Sequence, residues 1–421
     1  MRSAQTNQID WLTILLYTIL VVGGWLSIYA ADYDPDTNQS IFNFSQSSGK
    51  QLIWILTSVV LITFVFLLDF RIFESASYLI YLGLMILLIA VLFLGQEVAG
   101  STSWFQIGGF KLQPSEFAKT ATALALARFL SDTNRDISNY KDLALTSLVF
   151  LLPMGLIVLQ GDAGTAMVYT SFIIVLFREG MPGGIILLGI SAIALFLLTL
   201  VLPKSGLIIG IIILTLITLG ILARSVKKAA LIIALGLMAI GMVVSVEFVL
   251  NDVLKEHQRK RVQLLINPNA DPLGVGWNTT QSKIAIGSGG FGGKGFLQGT
   301  QTKFDFVPAQ TTDFIFCTIG EEQGLIGSSL MIIVFGWLIL RITQLAERQK
   351  SSFVRIYGYS VAGIIFFHFS INIAMTIGLF PVIGIPLPFF SYGGSSLWSF
   401  TIMLFIFLKL DSHRMELLQR F

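Results

Sequence analysis

Apolar residues fall in long runs separated by short polar breaks, and the runs have the length of membrane spans. About 20 apolar residues cross a ~30 Å hydrocarbon core as one helix. Cutting the chain at its polar breaks predicts twelve spans, over residues 11–30, 51–68, 77–95, 115–130, 143–160, 164–178, 184–202, 206–223, 229–250, 313–340, 353–378 and 395–410. Two of the intervening segments are too long for simple turns: 96–114, with 19 residues, and 251–312, with 62. Connections of that length are usually functional. The longer one holds nine glycines between 274 and 299, but also Trp277, Phe291, Phe296, Phe304 and Phe306. Aromatics are scarce in disordered chain, so an ordered loop lying over the membrane mouth is expected.

Composition sharpens this pattern into a class. Of 421 residues, 54% are hydrophobic and only 12% charged, against about 25% charged in ordinary soluble domains. Mean hydropathy is +0.80 with no polar block of domain size. A water-soluble enzyme and a soluble domain on a single anchor are both excluded, leaving an all-α polytopic membrane protein. The polar start MRSAQTNQID leads into an apolar run with no small-residue cleavage site, which predicts a retained first span. The single cysteine excludes a disulfide framework, and the three histidines lie too far apart for a local zinc signature. The net charge is only +3, and no nucleic-acid partner is expected.

Where the cations sit gives the orientation. With the first residue inside, sixteen of the 27 Lys and Arg residues fall on the cytoplasmic side. Of the eleven outside, seven belong to the 62-residue loop, a length at which the positive-inside bias loses force, so the short outer loops hold four. Both termini are therefore expected in the cytoplasm and the long loop outside, with membrane lipids as the surrounding partner.

Ionisable groups at or within span ends cost a few kcal/mol each and mark function by default. The set here is Glu116, Lys119, Asp162, Glu247, Asp313, Glu321, Glu322 and His368. Glu116 and Lys119, three apart behind Pro114, share a helical face; the pair is either a structural tie between helices or the border of a cavity. Asp162, in Gly161-Asp162-Ala163-Gly164, is explained locally as a turn carboxylate accepting backbone N–H bonds. His368, among Phe366, Phe367 and Phe369, is expected to be a satisfied core histidine. Asp313 stands where the basic loop meets the apolar run Phe314-Ile315-Phe316. It is either a helix N-cap or, with its pKa raised at an apolar boundary, a general base. The stretch Gly287-Ser288-Gly289-Gly290-Phe291-Gly292-Gly293-Lys294-Gly295 lacks the Ser or Thr and the preceding strand of a nucleotide loop. It is left as a series of turns or as a cradle of backbone N–H groups for a phosphate.

In this order the motifs resemble the SEDS family (shape, elongation, division and sporulation), most closely its rod-shape-determining branch. They are Trp104-Phe105-Gln106-Ile107-Gly108 with Gln113-Pro114-Ser115-Glu116-Phe117-Ala118-Lys119; Gln160 to Ala166; Arg259-Lys260-Arg261-Val262 through Asp271-Pro272-Leu273-Gly274; Gln281 to Gly290; Gln298-Gly299-Thr300-Gln301; Thr312-Asp313-Phe314-Ile315-Phe316; and Pro386-Leu387-Pro388-Phe389 with Ser391-Tyr392-Gly393-Gly394-Ser395-Ser396.

The resemblance implies a helical bundle of about 10–12 spans that works as a peptidoglycan glycosyltransferase during elongation and shape maintenance. It would polymerise lipid II on the outer face of a bacterial cytoplasmic membrane and release undecaprenyl pyrophosphate. Asp313 matches the family's essential aspartate, the base toward the acceptor's 4-hydroxyl. Trp104, Glu116 and Lys119 match residues of the central cavity, and Asp162, Gln298, Thr312 and Ser391 fall in the other matching segments. Arg259, Arg261 and Lys283 are the cations available to a pyrophosphate leaving group. No metal cage is legible, so Mg²⁺ or Mn²⁺ is expected only as an ion bound with that pyrophosphate. The implied partners are a class B penicillin-binding protein and the elongation machinery.

The sequence departs from the family pattern at Ser103, where Arg is usual before the Trp, at Gly161 and Ala163 in the Gln-Pro-Asp-Leu-Gly-Thr-Ala segment, and at Thr312, where His is usual. Twelve spans exceed the family's usual ten, which places an added hairpin at about 180–230 within a single membrane domain of 1–421. The rival function is a transporter, such as a lipid II flippase. Carriers often carry inverted repeats, and none is visible here.

Overall fold

The computed structural model describes residues 9–33, 40–98, 100–108, 110–132, 135–248, 276–303 and 306–414. Over its described residues, each of the twelve expected spans is largely helical. In chain order the elements are α1 (Trp11–Ala31), α2 (Ser47–Leu67), α3 (Phe70–Ser75), α4 (Ser77–Leu94), strands β1 (Gln96–Val98), β2 (Ser101–Ile107) and β3 (Phe110–Leu112), and α5 (Pro114–Leu130). There follow α6 (Tyr140–Leu159), α7 (Ala163–Val168), a 3₁₀ turn (Tyr169–Ser171), α8 (Phe172–Arg178), α9 (Gly183–Val201), α10 (Lys204–Leu222) and α11 (Val226–Phe248). The series ends with α12 (Trp277–Ser288), α13 (Ile315–Glu347), α14 (Ser352–Thr376) and α15 (Gly394–Ser412). Ten of these described helices are long and apolar enough to cross a membrane. The other two spans are α5, 17 residues long and almost wholly buried, and the broken run Ala163–Arg178.

The chain divides into two compact units. The first, 1–181 with 278–421, packs α5 against α4, α14 and α15, while α1 and α14 pack on α13. The second is 182–277, where α9, α10 and α11 pack on one another. The hairpin expected at about 180–230 corresponds to α9 and α10, and α11 belongs to the same unit.

At one end of the first unit, arginines expected in the cytoplasm tie helix ends together. Arg128 bonds Glu74 (2.7 Å), Arg178 bonds Glu347 (2.7 Å), Arg355 bonds Glu179 (2.8 Å), Arg348 bonds the fully buried Asp411 (2.5 Å), and Arg341 bonds Asp10.

The 96–114 segment, read from the sequence as a loop, is an antiparallel three-stranded meander in the order β1-β2-β3. Its two reversals use Gly100 and Gly108, both with positive φ (84° and 62°). The sheet is held to the α6–α7 turn: Thr102 N and Ser101 Oγ both donate to Gln160 O, at 2.8 and 3.1 Å.

Helix α13 is broken inside. At Gly324 the backbone turns to φ 62°, ψ −156°, a conformation open essentially to glycine. At 33 residues it would be roughly 50 Å long if straight, well beyond one membrane crossing. A break within a span frees backbone groups that lipid cannot satisfy. Here the glycine-rich segment satisfies them. Leu325 N and Ile326 N donate to Gly290 O and Phe291 O, at 3.0 and 3.2 Å, while Glu321 O and Glu322 O accept from Lys294 N and Gly295 N, at 3.0 and 2.9 Å. The approach is so close that a Cβ built on Gly289 would lie 2.0 Å from Gly320 O, and one on Gly293 2.1 Å from Glu322 O. The 287–295 stretch is therefore a backbone splice for a broken helix. Its amides at 289, 293, 294 and 295 are already bonded within the chain, so the phosphate-cradle alternative fails there.

Candidate active site

Asp313 lies in a tight turn ahead of α13. Thr312 N and Phe314 N both donate to Ala309 O at 3.1 Å, and Ala309 itself has φ 59°. The helix begins at Ile315 with Phe314 as its cap residue, so Asp313 is not the N-cap. Phe314 is buried in an apolar cluster with Ala285, Val307 and Cys317, which anchors the turn from below.

Three successive carbonyls of this turn are gripped from elsewhere in the chain. Thr311 O accepts from Tyr392 N (2.9 Å), Thr312 O from Ser391 Oγ (2.6 Å), and Asp313 O from Asn372 Nδ2 (2.8 Å). Ser391 Oγ also accepts from Leu387 N at 2.8 Å, so it fixes the 386–392 segment and the Asp313 turn together. The half-buried Asp313 side chain faces the backbone of Gly384, where a Cβ would come within 3.4 Å of Asp313 Oδ2. Thr312, where the family usually has His, bonds its hydroxyl to Ala309 O at 3.2 Å.

A second polar group is sealed beneath. Lys119 Nζ lies 2.8 Å from Glu116 Oε2 and 2.9 Å from His368 Nε2. The three residues are 1%, 2% and 1% exposed, so they are enclosed in this conformation. The ammonium donates to Nε2, which leaves the proton on Nδ1, and that nitrogen donates to Pro386 O at 3.2 Å. Phe400 covers the ammonium at 4.6 Å, and Ser399 Oγ caps Glu116 O at 2.6 Å. The i, i+3 spacing on α5 made the Glu116–Lys119 pair legible. His368 was expected to be a satisfied core histidine, which it is, but its partner 249 positions away was not visible in the sequence.

The α6–α7 turn closes the same face. Asp162 accepts from Thr165 N (2.9 Å) as a helix cap and from Gln113 Nε2 (3.0 Å), joining the turn to the start of α5. Burial raises the pKa of its carboxyl. Gly164 lies against Ile383, where a Cβ would be 2.2 Å from the carbonyl oxygen. Ser103 is fully buried within β2, and Trp104 beside it is half-buried opposite Gln96.

On the loop side, Glu321 is fully buried and saturated with donors: Lys294 Nζ (2.6 Å) and the amides of Thr300 (2.7 Å), Gln301 (2.9 Å) and Thr302 (3.0 Å). It shapes the 299–302 turn, and Lys294 is committed to it. Lys283 and Gln298 are exposed. Arg259 and Arg261 lie outside the described residues. Among the described residues no group of three or more His, Cys, Asp or Glu is placed to hold a metal ion.

The model of the FtsW, RodA and SpoVE family, described as cell cycle protein, matches residues 10–209 and 186–416. The chain belongs to that family. This is the SEDS family of the motif resemblance, and the two matched segments of the FtsW/RodA/SpoVE model overlap in α9 and the start of α10. Among FtsW/RodA/SpoVE relatives, the peptidoglycan glycosyltransferase RodA of Treponema pallidum (strain Nichols) is 32% identical over 99% of this chain and 100% of its own length. The peptidoglycan glycosyltransferase MrdB of Escherichia coli (strain K12) is 33% identical over 82% of this chain and 80% of its own. Among solved structures, a chain of a peptidoglycan synthase complex that coordinates polymerization and crosslinking is 27% identical, with a TM-score of 0.72 over 96% of this chain and 98% of that one. RodA of Thermus thermophilus shares the fold, with a TM-score of 0.62 at 24% identity over 96% of this chain and 97% of that one.

Proposed function

We propose that this FtsW/RodA/SpoVE protein is a peptidoglycan glycosyltransferase that polymerises lipid II on the outer face of a bacterial cytoplasmic membrane, with Asp313 as general base. The observation that carries the assignment is the triple grip on residues 311–313. A side chain whose own backbone is fixed by Asn372, Ser391 and Tyr392 is held for a positional task, and general-base catalysis demands placement within hydrogen-bond reach of the proton it takes.

In the proposed step Asp313 accepts the proton of the acceptor sugar's 4-hydroxyl as that oxygen attacks the donor's anomeric carbon from the face opposite the leaving group. The glycosidic bond forms with inversion, the bond to pyrophosphate breaks, and undecaprenyl pyrophosphate departs with the electron pair. Lys283, exposed at the mouth, and Arg259 and Arg261 of the long loop balance the charge that develops on the leaving group. Trp104 and Gln298 border the substrate, Thr312 and Ser391 shape the Asp313 turn, and Glu116, Lys119 and Asp162 brace the floor below it. On this reading Mg²⁺ or Mn²⁺ enters only as an ion bound with the pyrophosphate.

The lysine and arginine bias supports cytoplasmic termini and an outward Asp313. Likeness to a chain of a peptidoglycan synthase complex supports a crosslinking partner of the class B penicillin-binding type within the elongation machinery.

The test is lipid II polymerisation by purified protein reconstituted with that partner. Asp313→Asn is expected to lower the rate about 10²- to 10⁴-fold while the protein still folds. Polymer at the wild-type rate from Asp313→Asn would remove Asp313 as base. No polymer from the wild type, with lipid II still moving between leaflets, would favour a flippase.

A further inference from the structure

We infer that Asn372 is a positioning residue for the Asp313 carboxylate, an inference that rests on Asp313 being the base. Asn372 sits on α14, fully buried. Its amide nitrogen donates both hydrogens to backbone carbonyls of two segments remote from each other in sequence: Asp313 O at 2.8 Å and Ile385 O at 2.7 Å. Ile385 follows Gly384, the residue whose backbone faces the Asp313 carboxylate. Asn372 thus adds, to the tie made by Ser391, a direct link between the backbone of the base and the wall of its pocket.

The neighbouring segment is strapped from the same helix. His368, one helical turn before Asn372, donates from Nδ1 to Pro386 O (3.2 Å) and is itself pinned by Lys119 (2.9 Å). The 385–386 carbonyls are therefore held by two side chains of α14, and of these two it is Asn372 that also holds Asp313. The amide chemistry is specific. A carboxylate offers no donor, and an isosteric apolar side chain would remove the hydrogen bonds that Asp313 O and Ile385 O accept from Asn372. Displacing a catalytic group by about 1 Å costs on the order of 10²-fold in rate, so loss of this hold should appear in turnover and not in substrate affinity.

The experiment measures kcat and KM for lipid II in full-length protein reconstituted with its crosslinking partner, with kcat expressed per lipid II-binding equivalent so that misfolded protein does not count. Asn372→Leu is expected to lower kcat about 10²-fold with KM within about twofold. Asn372→Gln keeps both donors on a longer side chain and should recover to within about tenfold of wild type; it also serves if the Leu variant does not accumulate, since the predicted retention of activity can be read on its own. Unchanged kcat in Asn372→Leu, a change confined to KM, or equal losses in Leu and Gln variants would overturn the positioning role. Asp313→Asn is run beside them. If it keeps polymerising, the base assignment falls and this inference with it; if it is inactive while Asn372→Leu is normal, only this inference falls.

Discussion

The Lys119 ammonium and the Nε2 of His368 lie 2.9 Å apart, although 249 positions separate them in the chain. This contact joins the ion pair on α5 to the helix that holds the Asp313 turn, and it does so with no solvent access. Breaking a buried pair by removing one partner leaves an uncompensated charge, at a cost of about 3–5 kcal/mol. Lys119→Met should therefore destabilise the protein by that order. The double variant Glu116→Gln with Lys119→Met should recover much of the loss, because no lone carboxylate remains. Unfolding of purified protein in detergent measures both, and a double variant no more stable than Lys119→Met would contradict the account.

The splice between the glycine-rich segment and broken α13 predicts unequal outcomes for adjacent glycines. A Cβ at Gly289 meets Gly320 O at 2.0 Å, whereas one at Gly290 meets nothing within 4 Å. Gly289→Ala must push two backbones apart and should cost about 3 kcal/mol. Gly290→Ala meets only the strain of positive φ (57°), about 1 kcal/mol. Folded yield and melting temperature separate the two, and equal effects would refute the close approach.

Asp10, the N-cap of α1, predicts a pH effect where that helix start meets Arg341. Burial acts to raise its pKa, but hydrogen bonds from Arg341 and from Thr13 outweigh it, and the carboxyl ends below its ordinary value of 3.8. A carboxyl with a depressed folded-state pKa contributes stability that is present above the unfolded value and lost as pH falls through the folded one. Asp10→Asn should thus cost stability at neutral pH and flatten the decline of stability below about pH 4. Melting temperatures from pH 7 to pH 3 test this; parallel curves for wild type and variant would show that the Arg341 contact makes no such contribution.

Several features of the site were legible along the chain. Pro114 opens α5 where its missing N–H costs nothing, and Glu116 and Lys119 pair at helical spacing. Asp162 caps a helix as its Gly-Asp-Ala-Gly setting implied, and also holds Gln113. Asp313 was singled out by where it stands, between basic loop and apolar helix. The sequence did not reveal the β-meander, because three-residue strands such as Gln96–Val98 and Phe110–Leu112 carry too little alternation to register.

The sequence alone determined the spans and the family motifs, because run length and residue identity are local properties. Only the tertiary structure decided what grips Asp313, what His368 touches and what the glycines do. These interactions act largely through backbone carbonyls and amides, which are chemically alike at nearly every position. Nothing in the letters at Thr311, Thr312 or Ile385 marks those carbonyls as the ones that Tyr392, Ser391 and Asn372 will reach.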